Sequence, residues 1–274
     1  MPLPSASPRT AASLADRTAR FRPTPVPEPL GAIVVAQMHV TVKPRAFALV
    51  LAAVVTCLTL ADAAVLWVKF RLHHDYLFGL TTFFDFNREG NLPAFYSACA
   101  LLVAAGLFLI VAADARQRAD RWYRHWLGLG LIFLYMAIDE AAEIHGLLTN
   151  VIASMVETSG PLLFAWVIPY ALLTLLFGIV YVPFTVALPP RIRTLFVLAG
   201  VVFVAGALGM EMVGGAIVSA HGGVGGGGLD YWAHAVEYTI EEALEMAGIV
   251  LLIYALLFHI AAQNIIVTLR VVED

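Results

Sequence analysis

Charged residues are scarce in this chain. They make up 13% of its 274 residues, against about 25% in an average soluble protein. Hydrophobic residues make up 61%, and the mean hydropathy is +0.84. A soluble globule of this length cannot bury so much apolar surface, so the composition excludes a cytoplasmic enzyme. The 16 basic residues are outnumbered by 20 acidic ones, which excludes the basic surface that nucleic-acid binding requires.

Several recognisable motifs are also missing. Only two cysteines are present, so a disulfide framework is excluded, and we expect Cys57 and Cys99 to be small packing residues within apolar runs. The last predicted span has no lysine for a retinal Schiff base. Neither His-Glu-x-x-His nor Gly-x-Ser-x-Gly occurs. We find no internal repeat of the kind from which many secondary transporters are built.

Six apolar stretches dominate the sequence, and each is near the roughly 20 residues that cross a bilayer. They cover residues 46–68, 92–113, 126–148, 161–187, 194–220 and 236–262. We therefore predict an all-α integral membrane bundle of six transmembrane helices over residues 45–264. Residues 1–44 are rich in Pro, Ser, Ala, Thr and Arg and predict a disordered tail, with Met38 as an alternative start. Residues 265–274 form a short second tail.

The basic residues predict the orientation of the bundle. Of the 16 Lys and Arg residues, all but Lys69, Arg71 and Arg88 fall on the side that carries both termini. Because Lys and Arg accumulate in cytoplasmic loops, we expect both termini in the cytoplasm, and a bacterial inner membrane as the location. The glycine-rich residues 222–228 then lie outside. They join two membrane helices, so we expect a flexible linker and not a phosphate-binding loop.

The predicted spans contain acidic residues that a membrane interior disfavours. These are Asp62; Asp139, Glu140 and Glu143, with His145 beside them; Glu211; and Glu237, Glu241, Glu242 and Glu245. An ionised group near the bilayer centre opposes insertion by roughly 2.5 to 3.5 kcal/mol. The predicted spans contain no Lys or Arg that could pair with these acids. Protons shared among the acids, or a bound metal, must therefore neutralise them.

Depth and spacing indicate one shared cluster. With a rise of about 1.5 Å per residue, the acids of four spans fall in the same outer half of the membrane. Glu237, Glu241 and Glu245 recur every fourth residue, which places them on one helix face, and His234 precedes Glu237 by three residues. Such a polar face is expected to line the bundle interior and not to contact lipid.

Carboxylates and histidines on facing helices are the donors of transition-metal sites. We therefore predict a divalent metal ion whose candidate ligands are Asp139, Glu140, Glu143, His145, Glu211, His234, Glu241 and Glu245, with Glu242 as a general base. The Glu-x-x-His motif of di-iron bundles is absent. These donors do not distinguish zinc, iron, manganese and calcium. Glu143 and Glu245 are expected to be the most sensitive positions, because each has acidic partners three and four residues before it.

Simpler roles are expected for other residues of the spans. Asp62 taken alone is expected to form a hydrogen bond between packed helices, and Glu237 to be solvated at the membrane interface. His259 is expected at the opposite, cytoplasmic interface. Four glycines of the fifth span are expected to be helix-contact positions: Gly206, Gly209, Gly214 and Gly215.

Four strings of the sequence resemble a family of uncharacterised bacterial multi-pass membrane proteins. They are FDFNREGNLP at residues 84–93, IDEAAEIH at 138–145, GMEM at 209–212 and EEALEM at 241–246. The resemblance covers residues 50–262 and implies a multi-pass membrane fold without an assigned activity. A fainter similarity to membrane hydrolases, the alkaline ceramidases and the adiponectin-receptor type, implies zinc held by intramembrane Asp and His. The chain departs from them in lacking His-x-x-x-His in its last span.

Three functional hypotheses follow. The first is an intramembrane metalloprotein, open to the outer face, that acts on a lipidic or membrane-soluble substrate. The second is a proton- or cation-coupled transporter that uses the same acids as a relay; the missing repeat and the apolar inner halves of spans two and four disfavour it. The third is a structural or accessory membrane subunit in which hydrogen bonds hold the acids. Membrane lipids are the expected partners in each case.

Overall fold

The fold is known from a computed structural model that describes residues 41–74, 76–226 and 231–267. Most of the two predicted tails, Met38, and Gly227 and Gly228 of the predicted linker lie outside these ranges. Regular structure in the described residues consists of helices. These helices belong to one unit, Val40–Val267.

The helices follow one another along the chain with short connections. They are α1 (Pro44–Leu72), α2 (Leu80–Phe84), α3 (Leu92–Gln117), α4 (Tyr123–Ala142), α5 (Ile144–Ala153), α6 (Val167–Ala187), α7 (Pro190–Val204), α8 (Glu211–Ala220) and α9 (Trp232–Ala262). A π-helical segment, Ala205–Met210, joins α7 to α8 without a break, and single 3₁₀ turns occur at Gly160–Leu162 and Val224–Gly226.

Five of these helical segments are long and apolar enough to cross a membrane. They are Pro44–Leu72, Leu92–Gln117, Val167–Ala187, Pro190–Ala220 and Trp232–Ala262. The prediction of an α-helical membrane bundle is therefore confirmed, and these segments match predicted spans one, two, four, five and six. Six spans and cytoplasmic termini stay predictions.

The predicted third span, residues 126–148, is not one continuous helix. Its helix α4 ends at Ala142, and Glu143 adopts the left-handed φ of 53° that few residues other than glycine take. The chain turns there, and α5 begins at Ile144. Glu143 therefore does not continue the helix that carries its acidic partners three and four residues before it, as the predicted third span required.

Local sequence accounts for where the main helices begin. Prolines in the first turn start α1, α3 and α7, where the missing N–H of proline is not needed for a helical hydrogen bond. Asn91 caps α3, because its side-chain oxygen accepts the N–H of Ala94 at 3.1 Å. This cap lies inside the string FDFNREGNLP and fixes the loop before α3 against the helix.

Helix α9 is the central element of the bundle. It contacts α1, α3, α7, α8 and the π segment. Its side chains Met246, Ile253 and Leu256 are completely buried. In contrast, α6 is peripheral and exposes a run of leucines, among them Leu172 and Leu176. These exposed leucines form the kind of surface that faces lipid.

The bundle has one polar end and one apolar end. At the apolar end a buried cluster that includes Phe108, Trp126, Phe184 and Leu256 fills the interior. The polar end consists of the second halves of α1 and α4, the whole of α8, the start of α3, and the first halves of α6 and α9. The acidic residues of the spans lie at the polar end, as their depth along each helix predicted.

Small residues bring the helices close to α9. A Cβ at Gly206 would lie 2.9 Å from the Glu241 carbonyl oxygen and 3.1 Å from the Glu245 nitrogen. The π segment therefore packs backbone to backbone on α9, and the predicted helix contact is confirmed for Gly206. Gly214 likewise lies against Glu237, and Gly215 against Gly160.

Other packing expectations are wrong. Gly209 is exposed, and its only close neighbour is a backbone atom of its own helix. Cys57 and Cys99 are also exposed, because they lie on the outward faces of α1 and α3. His259 is buried and its ring stacks on Trp126 at 5.0 Å between centroids, so it is a packed residue and not an interfacial one.

A buried carboxylate cluster at the polar end

Five glutamates from three helices converge at the polar end. They are Glu140 in the last turn of α4, Glu211 at the start of α8, and Glu241, Glu242 and Glu245 in α9, and we call them the carboxylate cluster. All five are half-buried in the bundle. Each α9 member lies within electrostatic range of Glu211, and Glu242 and Glu245 also lie within range of Glu140. The predicted convergence is therefore seen for these five side chains.

Glu211 and Glu241 lie next to each other in this cluster. The Glu211 carboxyl is within hydrogen-bond reach of that of Glu241, and it accepts the indole N–H of Trp166 at 2.7 Å. An ionised carboxylate only accepts hydrogen bonds, whereas a protonated one also donates. A hydrogen bond between two carboxyls therefore requires that one of them keep a proton.

The π segment determines where Glu211 points. An extra residue in a helical turn rotates all later side chains by about 100°, and the segment Ala205–Met210 ends directly before Glu211. Segments of this kind recur at functional sites. Gly206 within it allows the close approach to α9. Glu211 is the only acid of the fifth predicted span. The π segment before it therefore turns this acid toward the acids of α9.

Asp139 stabilises the break between α4 and α5. It is buried, and it accepts the backbone N–H of His145 at 2.9 Å and the Tyr170 hydroxyl at 3.0 Å. The first of these bonds caps a free N–H at the start of α5. The Tyr170 hydroxyl also pairs with that of Tyr135 at 2.9 Å. This network explains why the chain turns at Glu143, whose side chain is exposed.

Glu89 and His145 lie at the mouth of the cluster, and we call them the entrance pair. Glu89 Oε1 is 3.9 Å from His145 Nε2, and the Glu89 side chain is 36% exposed. Partial burial raises the pKa of Glu89 above its ordinary value; His145 opposes this shift, while Glu143 and Asp139 add to it. The His145 ring packs on Trp166 at 5.2 Å between centroids. The entrance pair is thus connected to Glu211 through a shared neighbour.

A second network at the polar end was only partly predicted from the sequence. Asp62 is fully buried and accepts the Phe86 N–H at 2.9 Å and the Thr239 hydroxyl at 2.6 Å. Its predicted role in packing helices together is therefore confirmed. Asp85, which the sequence analysis did not single out, is buried and pairs with Lys69 at 2.9 Å. The sequence indicated the importance of Asp85 only through its place inside the string FDFNREGNLP.

His234 and Glu237 form a buried pair beside the carboxylate cluster, and Glu237 lies within electrostatic range of Glu211 and Glu241. The His234 Nδ1 and Glu237 Oε2 atoms are 3.0 Å apart, and the two side chains are 5% and 3% exposed. Glu237 therefore does not lie solvated at an interface, as was expected, because α8 packs over it at Gly214. His234 binds Glu237 and not the carboxylate cluster.

The candidate metal ligands thus fall into distinct groups. Four of them lie in the cluster together with Glu242, namely Glu140, Glu211, Glu241 and Glu245. Asp139 and His145 adjoin the cluster. His234 pairs with Glu237 instead, and Glu143 is exposed. Within the part of the chain that the structure describes, no three His, Cys, Asp or Glu side chains are placed closely enough to hold a metal ion. The metal centre stays a prediction.

Comparison with known proteins identifies a family but no activity. No curated protein and no solved structure matches the chain. The fainter similarity to ceramidase-type hydrolases is therefore not confirmed. One family model, described as a domain of unknown function (DUF8692), matches residues 32–260. Because that match spans most of the sequence and contains all five members of the carboxylate cluster, the chain belongs to the DUF8692 family.

Proposed function

We propose that this protein is a membrane carrier of protons, in which the Glu211–Glu241 pair binds the transported proton. The observation that carries the proposal is the approach of these two carboxyls, from α8 and α9, within hydrogen-bond reach of each other, which favours a shared proton. Buried acids that face a bundle interior are typical of proton relays in pumps and transporters. The five members of the carboxylate cluster would hold exchangeable protons between them.

The surroundings of the cluster support exchange from one side. Glu89, in the loop before α3, pairs with His145 of α5, and Glu89 also acts electrostatically on Glu140. Protons would enter through this entrance pair. At the other end of the bundle, Phe108 and Leu256 are completely buried in the apolar core. Release on that side would require the core to open, which is how a carrier differs from a channel.

A metal centre is the second candidate function. Acids from α4, α8 and α9 repel one another across the cluster, and a divalent cation would relieve this repulsion. Side chains such as Glu140, Glu211 and Glu245 would have to move to bring three ligands together, because no three are close enough among the described residues. The bound metal would then activate water for a membrane-soluble substrate. Metal content of the purified protein separates this candidate from the first.

Orientation and location belong to the same proposal. The distribution of basic residues favours cytoplasmic termini, so the polar end and the entrance pair would face the outside of a bacterial inner membrane. Protons would then enter from the periplasmic side. Lipids would surround the exposed leucines of α6.

The proposal is tested with the purified protein in liposomes that contain a trapped pH-sensitive dye. A membrane potential is imposed, and the change in internal pH is followed for the wild type and for Glu241→Gln. The proposal expects proton movement with the wild type and its loss in the variant. Glu157→Gln, an exposed acid between α5 and α6, is the matched control and should behave as the wild type. Wild-type protein that moves no protons, or that carries one metal ion per chain, would contradict the proposal.

A further inference from the structure

A buried network next to the carboxylate cluster has no part in the proposed proton binding. It joins α1, the loop before α3, and α9. Its members are Asp62, Lys69, Asp85, Phe86, Asn91, Tyr238 and Thr239. Because Asp62 and Asp85 are both almost completely buried, their hydrogen bonds must be kept for the polar end to stay packed.

Asp62 bridges the loop before α3 and helix α9 through its two carboxylate oxygens. One of its oxygens accepts the backbone N–H of Phe86 in the loop at 2.9 Å. The other oxygen accepts the hydroxyl of Thr239 on α9 at 2.6 Å. A single carboxylate on α1 therefore fixes the loop relative to the helix that carries most of the cluster.

Asp85, the first residue of this loop, fixes it through further hydrogen bonds. Its carboxylate accepts Lys69 at 2.9 Å and the Tyr238 hydroxyl at 3.3 Å. Its carbonyl oxygen accepts the side-chain amide of Asn91 at 2.7 Å. The loop residues 85–91 are thus tied at both ends, and α9 contributes to the tie through two consecutive residues, Tyr238 and Thr239.

The hydrogen bonds of this loop hold Glu89 next to His145. Glu89 lies four positions after Asp85, inside the tied loop, with Oε1 at 3.9 Å from His145 Nε2. Thr239 lies two positions before Glu241 on α9. The network therefore connects the entrance pair to the turn of α9 that carries Glu241, one member of the Glu211–Glu241 pair.

We propose that Asp62 is a positioning residue that sets the place of Glu89 against His145. It acts through the Phe86 N–H, and its bond to Thr239 keeps that placement in register with α9. Its consequence for proton exchange rests on the function proposed above, whereas its consequence for the position of Glu89 does not. Two measurements therefore test the two parts separately.

The first measurement is the accessibility of position 89. A Glu89→Cys variant is made in a background without Cys57 and Cys99, and a membrane-impermeant maleimide reports how fast the thiol reacts. Asp62→Asn keeps the side-chain volume but leaves one acceptor oxygen for two donors. Loss of one hydrogen bond should raise the labelling rate about ten-fold. An Asn87→Cys variant, at an exposed loop position, should react quickly with or without the Asp62 change.

A second variant covers the case in which Asp62→Asn does not fold. Thr239→Val removes the same α9 bond while Asp62 keeps its bond to the Phe86 N–H, and should also raise the rate at position 89. Thr56→Val is its matched control, because the Thr56 hydroxyl donates to the Ala52 carbonyl of its own helix at 2.9 Å. Equal labelling rates in the Thr239→Val and Thr56→Val variants would overturn the proposal.

The second measurement is a double-mutant cycle on proton movement in liposomes. If Asp62 acts through Glu89, Asp62→Asn should slow proton movement in the wild-type background and have no further effect after Glu89→Gln. Independent, additive losses would overturn the positioning role. A wild type that moves no protons would contradict the proposed function, while the labelling experiment would still decide the role of Asp62.

Discussion

Trp166 donates its indole N–H to Glu211 across 2.7 Å, which joins the residue directly before α6 to the first residue of α8. The Glu211 carboxyl also lies within hydrogen-bond reach of Glu241 on α9. Glu211 thus lies between a donor that cannot lose its proton and a partner carboxyl that can. This arrangement fixes the position of the pair and leaves one proton exchangeable.

Trp166→Phe should therefore destabilise the bundle. The change removes the indole N–H and leaves the Glu211 carboxyl short of one donor, which should lower the free energy of unfolding by about 1–3 kcal/mol. Denaturant unfolding in detergent micelles measures the difference. Trp232→Phe is the matched control, because Trp232 is 58% exposed, and it should have little effect. Equal stabilities of the two variants would contradict the importance of this bond.

Gly206→Ala should disturb the contact between the π segment and α9. The added Cβ would lie 2.9 Å from a backbone oxygen of α9, and backbone atoms cannot move aside as a flexible side chain can. We expect a loss of about 1–3 kcal/mol in the free energy of unfolding. Gly200→Ala, where a Cβ meets no atom within 4 Å, is the control and should be neutral. A neutral Gly206→Ala would show that the helices are not in close contact there.

Glu89 predicts a pH dependence of stability. Partial burial raises the pKa of its carboxyl in the folded protein, so the neutral form favours folding. The stability it contributes is complete below the ordinary pKa of a glutamate and is lost as the pH rises through the raised pKa. Glu89→Gln cannot ionise, so its melting temperature should fall less than that of the wild type over this interval. If the melting temperatures of the two proteins changed equally with pH, this would contradict the raised pKa of Glu89.

The predicted topology can be tested at the glycine-rich residues 222–228. A Gly225→Cys variant in a cysteine-free background should react with a membrane-impermeant maleimide added outside intact cells. An Ala119→Cys variant, in the connection between α3 and α4, should react only after the cells are opened. The reverse pattern would invert the orientation and place the entrance pair on the cytoplasmic side.

Membrane insertion of this chain could be inferred from composition, because apolar runs near the length of a bilayer leave few other folds. The convergence of the acids at one end also followed from counting helical rise. Both inferences depend on regular helix geometry, which repeats without reference to tertiary contacts. They succeeded for Glu211, Glu241 and Glu245 for that reason.

The features that escaped prediction are departures from regular geometry. The break at Glu143 depends on a bond from Asp139 to the His145 N–H, and the π segment before Glu211 depends on the close contact of Gly206 with α9. The spacing of apolar residues along the sequence predicts neither the break at Glu143 nor the π segment. Asp85 was missed because it lies in a loop, where no insertion penalty draws attention to an acid, although its pairing with Lys69 buries it fully.

Infrared spectroscopy of the protein in lipid bilayers tests the central claim most directly, since it detects protonated carboxyl groups by their carbonyl stretching band. Difference spectra between low and high pH are recorded for the wild type and for Glu241→Gln, with Glu157→Gln as the control. We predict a protonated-carboxyl band that shifts in heavy water and changes with pH, and that loses one component in Glu241→Gln but not in Glu157→Gln. A wild-type spectrum without a titrating protonated-carboxyl band, or one that Glu241→Gln leaves unchanged, would contradict a proton held by the Glu211–Glu241 pair.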